Sequence, residues 1–259
     1  MTARVPATLL QDRVVIVTGA ARGVGKGIAE AVTARGAAAL LVDSDEQLLA
    51  ETTGQLRSAG ARVVPLAVDL RGADSARHIV DTAVHELGTV HGLVNNAIAT
   101  NEPKRFLEIT RADYDLVFDV GPRATFELMQ AVHPVLAGNG GGSIVNLGSG
   151  SGTFGKSKFG AYAGAKEAIR GISKVAALEW GRDNIRVNVV CPFAESDGIR
   201  LWREMAPEAY ERSVRGVPMG RLGDVGTDIG PVIAFLLSDD ASFVTAQTIM
   251  VDGGAAGFR

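Results

Sequence analysis

The 259-residue chain has one cysteine, Cys191, only four histidines and no run of basic residues. A lone cysteine excludes an internal disulfide and any multi-cysteine metal site, so no metal is expected. With a formal net charge of −3 the chain lacks the positive stripe that a nucleic-acid partner requires. No apolar run approaches the ~18 residues of a membrane span. The start, MTARVPATLLQDRVV, carries only a short apolar patch before Asp12 and Arg13, too short for a secretory signal, so a cytoplasmic setting is expected. Hydrophobic residues at 46% and charged residues at 21% exclude a disordered chain. No linker, composition break or internal repeat divides the chain, and residues 1–259 read as one domain. What is plentiful is glycine, 32 residues against an average of about 7%. Glycine without low complexity points to tight turns and to backbone brought close to a ligand.

Short apolar runs alternate with longer amphipathic stretches. Strands are expected at 13–18, 39–42, 62–68, 90–95, 143–147, 186–190 and 248–251. Helices are expected at 24–35, 45–59, 73–87, 159–180 and 224–237, with a helical stretch over 106–137 broken at Gly121-Pro122. Ser44 and Gln47 have the spacing of a capping box. The stretch from Phe193 to Gly220 is polar and reads as irregular. The strands are continuous apolar runs rather than alternating ones, as in strands covered on both faces. The expectation is an α/β fold: a doubly wound parallel sheet of about seven strands with helices on both faces.

The first strand runs into Thr18-Gly19-Ala20-Ala21-Arg22-Gly23-Val24-Gly25, which opens the first helix. Glycines there let the backbone approach a pyrophosphate, and the helix N-terminus offers N–H groups and the positive end of its dipole. Asp43 ends the next strand 18 residues after Gly25. A carboxylate at that place accepts hydrogen bonds from ribose hydroxyls and repels a 2′-phosphate, which favours NAD. Arg22 argues the other way, since a basic residue in the loop would meet that phosphate, and Asp43 is weighed more heavily. A helix cap is the other role open to Asp43, although Ser44 or Asp45 would serve.

Tyr162 and Lys166 are four apart and share one helix face. Ser149 lies 13 residues before Tyr162, at the end of the fifth strand. In a parallel sheet ligands bind beyond the carboxyl ends of the strands, where Ser149 and the glycine loop both emerge. A phenol with a pKa near ~10 is a poor base at neutral pH. An ammonium ~5 Å away at an effective dielectric of ~20 favours the phenolate by about 3 kcal/mol. Tyr162 would then take a proton from an alcohol, or return it to a ketone, while Ser149 polarises the substrate oxygen.

The TGxxxGxG loop, Asn95-Asn96-Ala97, Ser149, the YxxxK from Tyr162 to Lys166 and the closing Val251-Asp252-Gly253-Gly254 occur in this order. Together they resemble the ~250-residue branch of the short-chain dehydrogenase/reductase family, over residues 10 to 255. The resemblance implies a single Rossmann-type domain and a nicotinamide cofactor held by Gly19, Arg22, Gly23, Val24, Gly25 and Asp43 on one side. It places Asp69 and Leu70 beside the adenine, and Asn95 and Ala97 along the groove. At the nicotinamide it implies Tyr162, Lys166, Pro192, Ser196 and Asp197, with Lys166 also holding ribose hydroxyls. It further implies a homotetramer built through the helices at 106–137 and 156–180, and leaves Asn188 and the tail from Gly253 to Arg259 structural or interfacial roles.

Four positions depart from the family pattern. Gly121 stands where the family has an active-site Asn whose main role is to kink the helix and free a carbonyl for a water relay to the lysine. Gly121-Pro122 is expected to replace that kink. Ile98 stands for the glycine after Asn-Asn-Ala and narrows the groove. Phe193 follows Pro192 in place of a glycine. Asp197, or Ser196 with a one-residue shift, stands for the hydroxyl that meets the carboxamide, and a carboxylate there favours the positively charged NAD⁺.

Ile98, Ser149, Ser151, Phe154, Phe159, Tyr162, Phe193, Trp202 and Met205 are the expected substrate contacts, an apolar pocket for a ring or alkyl group, with residues 193–220 as the expected substrate lid. Plain packing is the other reading of the aromatics near Trp202. Lys156 and Lys158 would meet a substrate carboxylate or an acyl carrier, or are simply solvated. The expected activity is NAD-dependent interconversion of a secondary alcohol and a ketone. An NADPH-dependent ketoacyl-type reductase and a catalytically silent dinucleotide sensor are the alternatives.

Overall fold

The computed structural model describes residues 8–256, apart from the side chain of Asp197. Residues 257–259 of the glycine-rich tail lie outside the described residues. The chain runs β1 (Val14–Thr18), α1 (Gly23–Thr33), β2 (Ala38–Asp43), α2 (Glu46–Ser58), β3 (Val63–Ala67), α3 (Ser75–Leu87) and β4 (Gly92–Asn95). It continues through α4 (Arg111–Phe118), a π-helical turn (Asp119–Arg123), α5 (Ala124–Gly138), β5 (Gly142–Leu147), the short α6 (Gly150–Thr153) and α7 (Gly160–Trp180). Next come β6 (Ile185–Pro192), α8 (Asp197–Met205), α9 (Pro207–Arg215), a second π turn (Val225–Ile229), α10 (Gly230–Leu237) and β7 (Thr248–Val251).

All seven strands join one parallel sheet in the order β3-β2-β1-β4-β5-β6-β7. β1 pairs with β2 on one side and β4 on the other, so the chain reverses its winding there and opens a crevice beyond the strands' carboxyl ends. Alternate residues of β1 feed opposite faces. Val15 and Val17 join Ile28, Val32, Leu49 and Ile233, whereas Val14 and Ile16 join Ile79, Leu128, Val132 and Ala177. Each fully buried Leu, Ile or Val contributes about 1.5–3 kcal/mol, and both faces being covered explains the unbroken apolar runs. β3 departs from that pattern with alternating burial, because it is an edge strand, which also admits Pro65.

Two local expectations are corrected, and a third takes a more specific form. Asp45, not Ser44, caps α2, accepting from Leu48 N–H at 3.1 Å. The stretch from Phe193 to Gly220 is not irregular but holds α8 and α9, the first capped by Ser196 and the second begun by Pro207. The interruption expected at Gly121-Pro122 is present, as one wide π-helical turn between α4 and α5 rather than an end to the helix. The Gly121 carbonyl accepts from Ala124 N–H within that turn.

Candidate active site

The β1–α1 loop is built to bring backbone close to a ligand. Gly19 has φ +66°, and a Cβ on Gly25 would stand 1.9 Å from the Gly19 carbonyl oxygen. Neither position tolerates a side chain. Arg22 precedes α1 without a side-chain cap, which leaves the first N–H groups of the helix to an anion. Asn96 fixes the loop from β4, donating to the Thr18 and Gly19 carbonyls at 3.0 and 3.2 Å. Asp43 holds it from β2: Ala21 N–H donates to Oδ2 at 3.0 Å and Asp45 N–H to Oδ1 at 3.1 Å. Such a cradle, with one carboxylate at its far end, fits a dinucleotide.

From this cradle a groove of about 680 Å³ crosses the sheet's carboxyl edge to Tyr162 and Lys166. Gly19, Arg22, Gly23, Val24, Gly25, Asp43, Asp69, Leu70, Ala97, Ile98, Pro192 and Ser196 all line it. Asn95 does not. It is buried in β4 opposite Asn146, donating to Asn146 Oδ1 at 2.8 Å, and Asn146 in turn donates to Ser173 Oγ at 2.8 Å. The groove wall belongs to its neighbour Asn96. Arg71, which the sequence reading missed, also lines the groove. Its guanidinium grips the Asp69 carboxylate in a bidentate pair and holds that carboxyl below its usual range. A basic residue two positions beyond Asp69 was the available signal. Ser196 lends its hydroxyl to Ile199 N–H as the α8 cap.

Ser149 and Ser151 are not among the residues that line the groove; Ser149 follows β5, caps α6 with its Oγ accepting from Ser151 N–H at 3.1 Å, and joins the groove's inner end through its hydrogen bond with Tyr162. Tyr162 and Lys166 project from one face of α7, with the ammonium 5.7 Å from the phenol ring centroid. Lys166 is buried and donates to the Leu147 carbonyl at 2.7 Å, so the end of β5 sets its position. Burial pulls its ammonium down to about 8. Burial likewise pushes the Tyr162 phenol up, opposed by a hydrogen bond with Ser149. The expectation that the ammonium lowers this phenol is therefore corrected for the free protein, where desolvation is the larger effect. Cys191 lies buried nearby, and burial raises its thiol to about 11, leaving it neutral and unreactive.

Gly121 does not touch the groove. A Cβ there would lie 3.4 Å from Cδ1 of Ile98 and 3.9 Å from Ala165. Ile98 thus fills the room that a larger side chain at 121 would need, packing with Val117 and Ala165. The two departures compensate one another.

Among the expected substrate contacts, the Phe159 ring meets the Tyr162 ring edge-on at 6.2 Å, and Trp202 meets Tyr210 at 5.7 Å. Phe154 and Met205 point outward, 64% and 77% exposed, and are not brought to the site. Phe193 is half-buried off the groove, its backbone bridging Val251 and Gly223.

A family model described as enoyl-(acyl carrier protein) reductase matches residues 19–256. The 12α-hydroxysteroid dehydrogenase of a Clostridium species is 41% identical over 95% of this chain and 97% of its own length. The levodione reductase of Leifsonia aquatica is 33% identical, covering 96% of each chain. A solved short-chain type dehydrogenase/reductase from Mycobacterium ulcerans superposes with a TM-score of 0.90 at 30% identity, over 96% of this chain and 92% of that one. With this fold, this groove and these relatives, the chain belongs to the short-chain dehydrogenase/reductase family and is an oxidoreductase acting on CH–OH groups.

Proposed function

We propose that the protein interconverts a cyclic, mainly apolar secondary alcohol and its ketone with NAD, using Tyr162 as the acid/base. The observation that carries this reading is the meeting of Ser149, Tyr162 and Lys166 at one end of a groove whose other end is the glycine cradle and Asp43. A nicotinamide bound there supplies the carbon that accepts or returns hydride, and its oxidised form adds positive charge beside the phenol. Ser149 Oγ accepts from Ser151 N–H and shares a hydrogen bond with Tyr162, which places its hydroxyl beside the phenol, where a substrate oxygen would be oriented. Tyr162 takes the alcohol proton, and the Lys166 ammonium stabilises the phenolate. One Lys166 proton is committed to Leu147; the other two serve ribose hydroxyls. The hydroxysteroid relative makes hydroxysteroids the first substrates to try.

Asp43 favours NAD over NADP, because a 2′-phosphate beside an already half-buried carboxylate is repelled. Arg22 on the same wall supports the NADPH-dependent alternative, which a direct cofactor comparison decides. An exposed apolar face on the expected interface helices supports a homotetramer: Leu107 and Leu178 are 98% and 78% exposed, with Phe106, Phe126 and Val175 beside them in sequence or on the same helices.

The test is NAD⁺- and NADP⁺-dependent oxidation of cyclic, aromatic and aliphatic secondary alcohols, with hydroxysteroids included and Tyr162→Phe as control. Turnover with NAD⁺ that falls by about 10²–10⁴ in the variant is expected. A variant that keeps substantial turnover refutes the role of the phenol, and NADH binding without any turnover favours the sensor.

A further inference from the structure

Lys156 and Lys158 sit two apart on the loop between α6 and α7, yet the fold treats them differently. Lys158 is exposed, in the left-handed region at φ +70°, and serves the loop through its carbonyl, which accepts from Lys104 N–H. Lys156 places its ammonium 4.6 Å from the Phe159 ring centroid and 4.8 Å from that of Trp202. One ring belongs to the approach to α7, the other to α8. A lysine on a surface ordinarily roams through solvent, whereas two aromatic faces hold this one in place.

Two further features define what this cation is for. It makes no ion pair or hydrogen bond among the described residues. The nearby lid cation, Arg203, does have a partner, Glu195 at 3.2 Å. Lys156 is also near the chemistry. Its 4.6 Å step to Phe159 and the 6.2 Å step from Phe159 to Tyr162 put the ammonium no more than about 10.8 Å from the phenol ring. A fused-ring frame covers that span and a short alkanol does not. The aromatic rings on the way are apolar walls for such a frame.

We propose that Lys156 binds a carboxylate carried by the substrate away from its reacting hydroxyl, so that the preferred substrates are ring alcohols bearing an acidic substituent. The proposal rests on the oxidoreductase reading above and adds the charge of the substrate to it. Lys156 is a specificity residue here, fixed by Phe159 and Trp202 and exposed enough to meet an incoming anion. Because the pair lies at the surface, it acts through KM and weakens as salt screens it.

The experiment compares a hydroxysteroid carboxylic acid with its methyl ester, using wild type, Lys156→Met and Lys156→Arg with saturating NAD⁺. Wild type should prefer the acid. Lys156→Met should raise KM for the acid about two- to fivefold at low ionic strength, leave kcat alone and leave the ester unchanged. Lys156→Arg should keep most of the preference. If Lys156 merely latches the lid, Lys156→Met changes acid and ester alike, and the proposal is overturned. Binding is followed in parallel by tryptophan fluorescence with NADH present. If no protein turns over either compound, the hydroxysteroid reading of the substrate fails. The carboxylate site then stands if the acid, but not the ester, binds in a Lys156-dependent way, and falls if both bind alike or neither binds.

Discussion

Replacing Lys166 with methionine should abolish turnover and, at neutral pH, should not destabilise the fold. The side chain is 3% exposed, and burial lowers its ammonium from 10.5 to about 8. At about 1.4 kcal/mol per pH unit, holding the charge in the folded state at pH 7 costs about 3 kcal/mol. Methionine removes that cost with a side chain of similar length. It also removes the hydrogen bond to the Leu147 carbonyl, and an unpaired buried carbonyl costs about 1–3 kcal/mol. The two nearly offset, leaving the variant equal to wild type or up to about 2 kcal/mol more stable. The sharper reading is the pH dependence. Below about 8 the lysine is charged in both states and the whole cost is present. As pH rises through that value, the folded protein gives up its proton while the unfolded chain keeps its own up to 10.5. Unfolded chain then binds more protons, so wild-type stability climbs relative to the variant, by up to about 3 kcal/mol across this window. Urea unfolding of both proteins at pH 7, 8.5 and 10 measures the difference directly, and groups common to both cancel. A gap between the two that is flat, or that moves in the variant's favour as pH rises, would refute the assignment of Lys166 as a buried ammonium held against its own desolvation. Loss of at least about a hundredfold in kcat, with the fold intact, completes the expected pattern.

Asp43→Asn should raise the ratio of kcat/KM for NADP⁺ over NAD⁺ by about tenfold, through loss of the charge that repels a 2′-phosphate. It should also cost about 1 kcal/mol of stability, since an amide cannot accept from both Ala21 and Asp45; an unchanged cofactor ratio counts against the role given to the carboxylate. Gly121→Asn should destabilise the protein by driving into Ile98, and Ile98→Gly in the same chain should recover the loss, with a coupling of about 1–3 kcal/mol in a thermal-unfolding cycle. Simple additivity of the two changes would show that the side chains do not share one space.

What the sequence made legible was what local pattern determines. The seven apolar runs became the seven strands, and the glycine loop, Asp43 and the YxxxK pair fell where the carboxyl edge of a parallel sheet requires them. The two lid helices were hidden because their faces are mixed: Trp202 and Met205 share α8 with Arg200, Arg203 and Glu204, and the charges read as loop. The choice between Asn95 and Asn96 depends on strand parity, and a strand buried on both faces carries no alternation from which parity can be read. The direction of the Tyr162 shift was illegible for another reason. Separation along a helix gives the distance between phenol and ammonium, but not how much water the surrounding chain removes from each, and desolvation decides the sign. Ile98 and Gly121 are the instructive pair. Taken one at a time, a large residue for glycine and a glycine for asparagine each look like damage to the site. Twenty-three positions apart in sequence, they are neighbours in space: a Cβ placed on Gly121 would lie 3.4 Å from Cδ1 of Ile98. Two departures from a family pattern that lie this close in space are therefore better read as one exchange of volume, made behind the wall that Ile98 gives the groove.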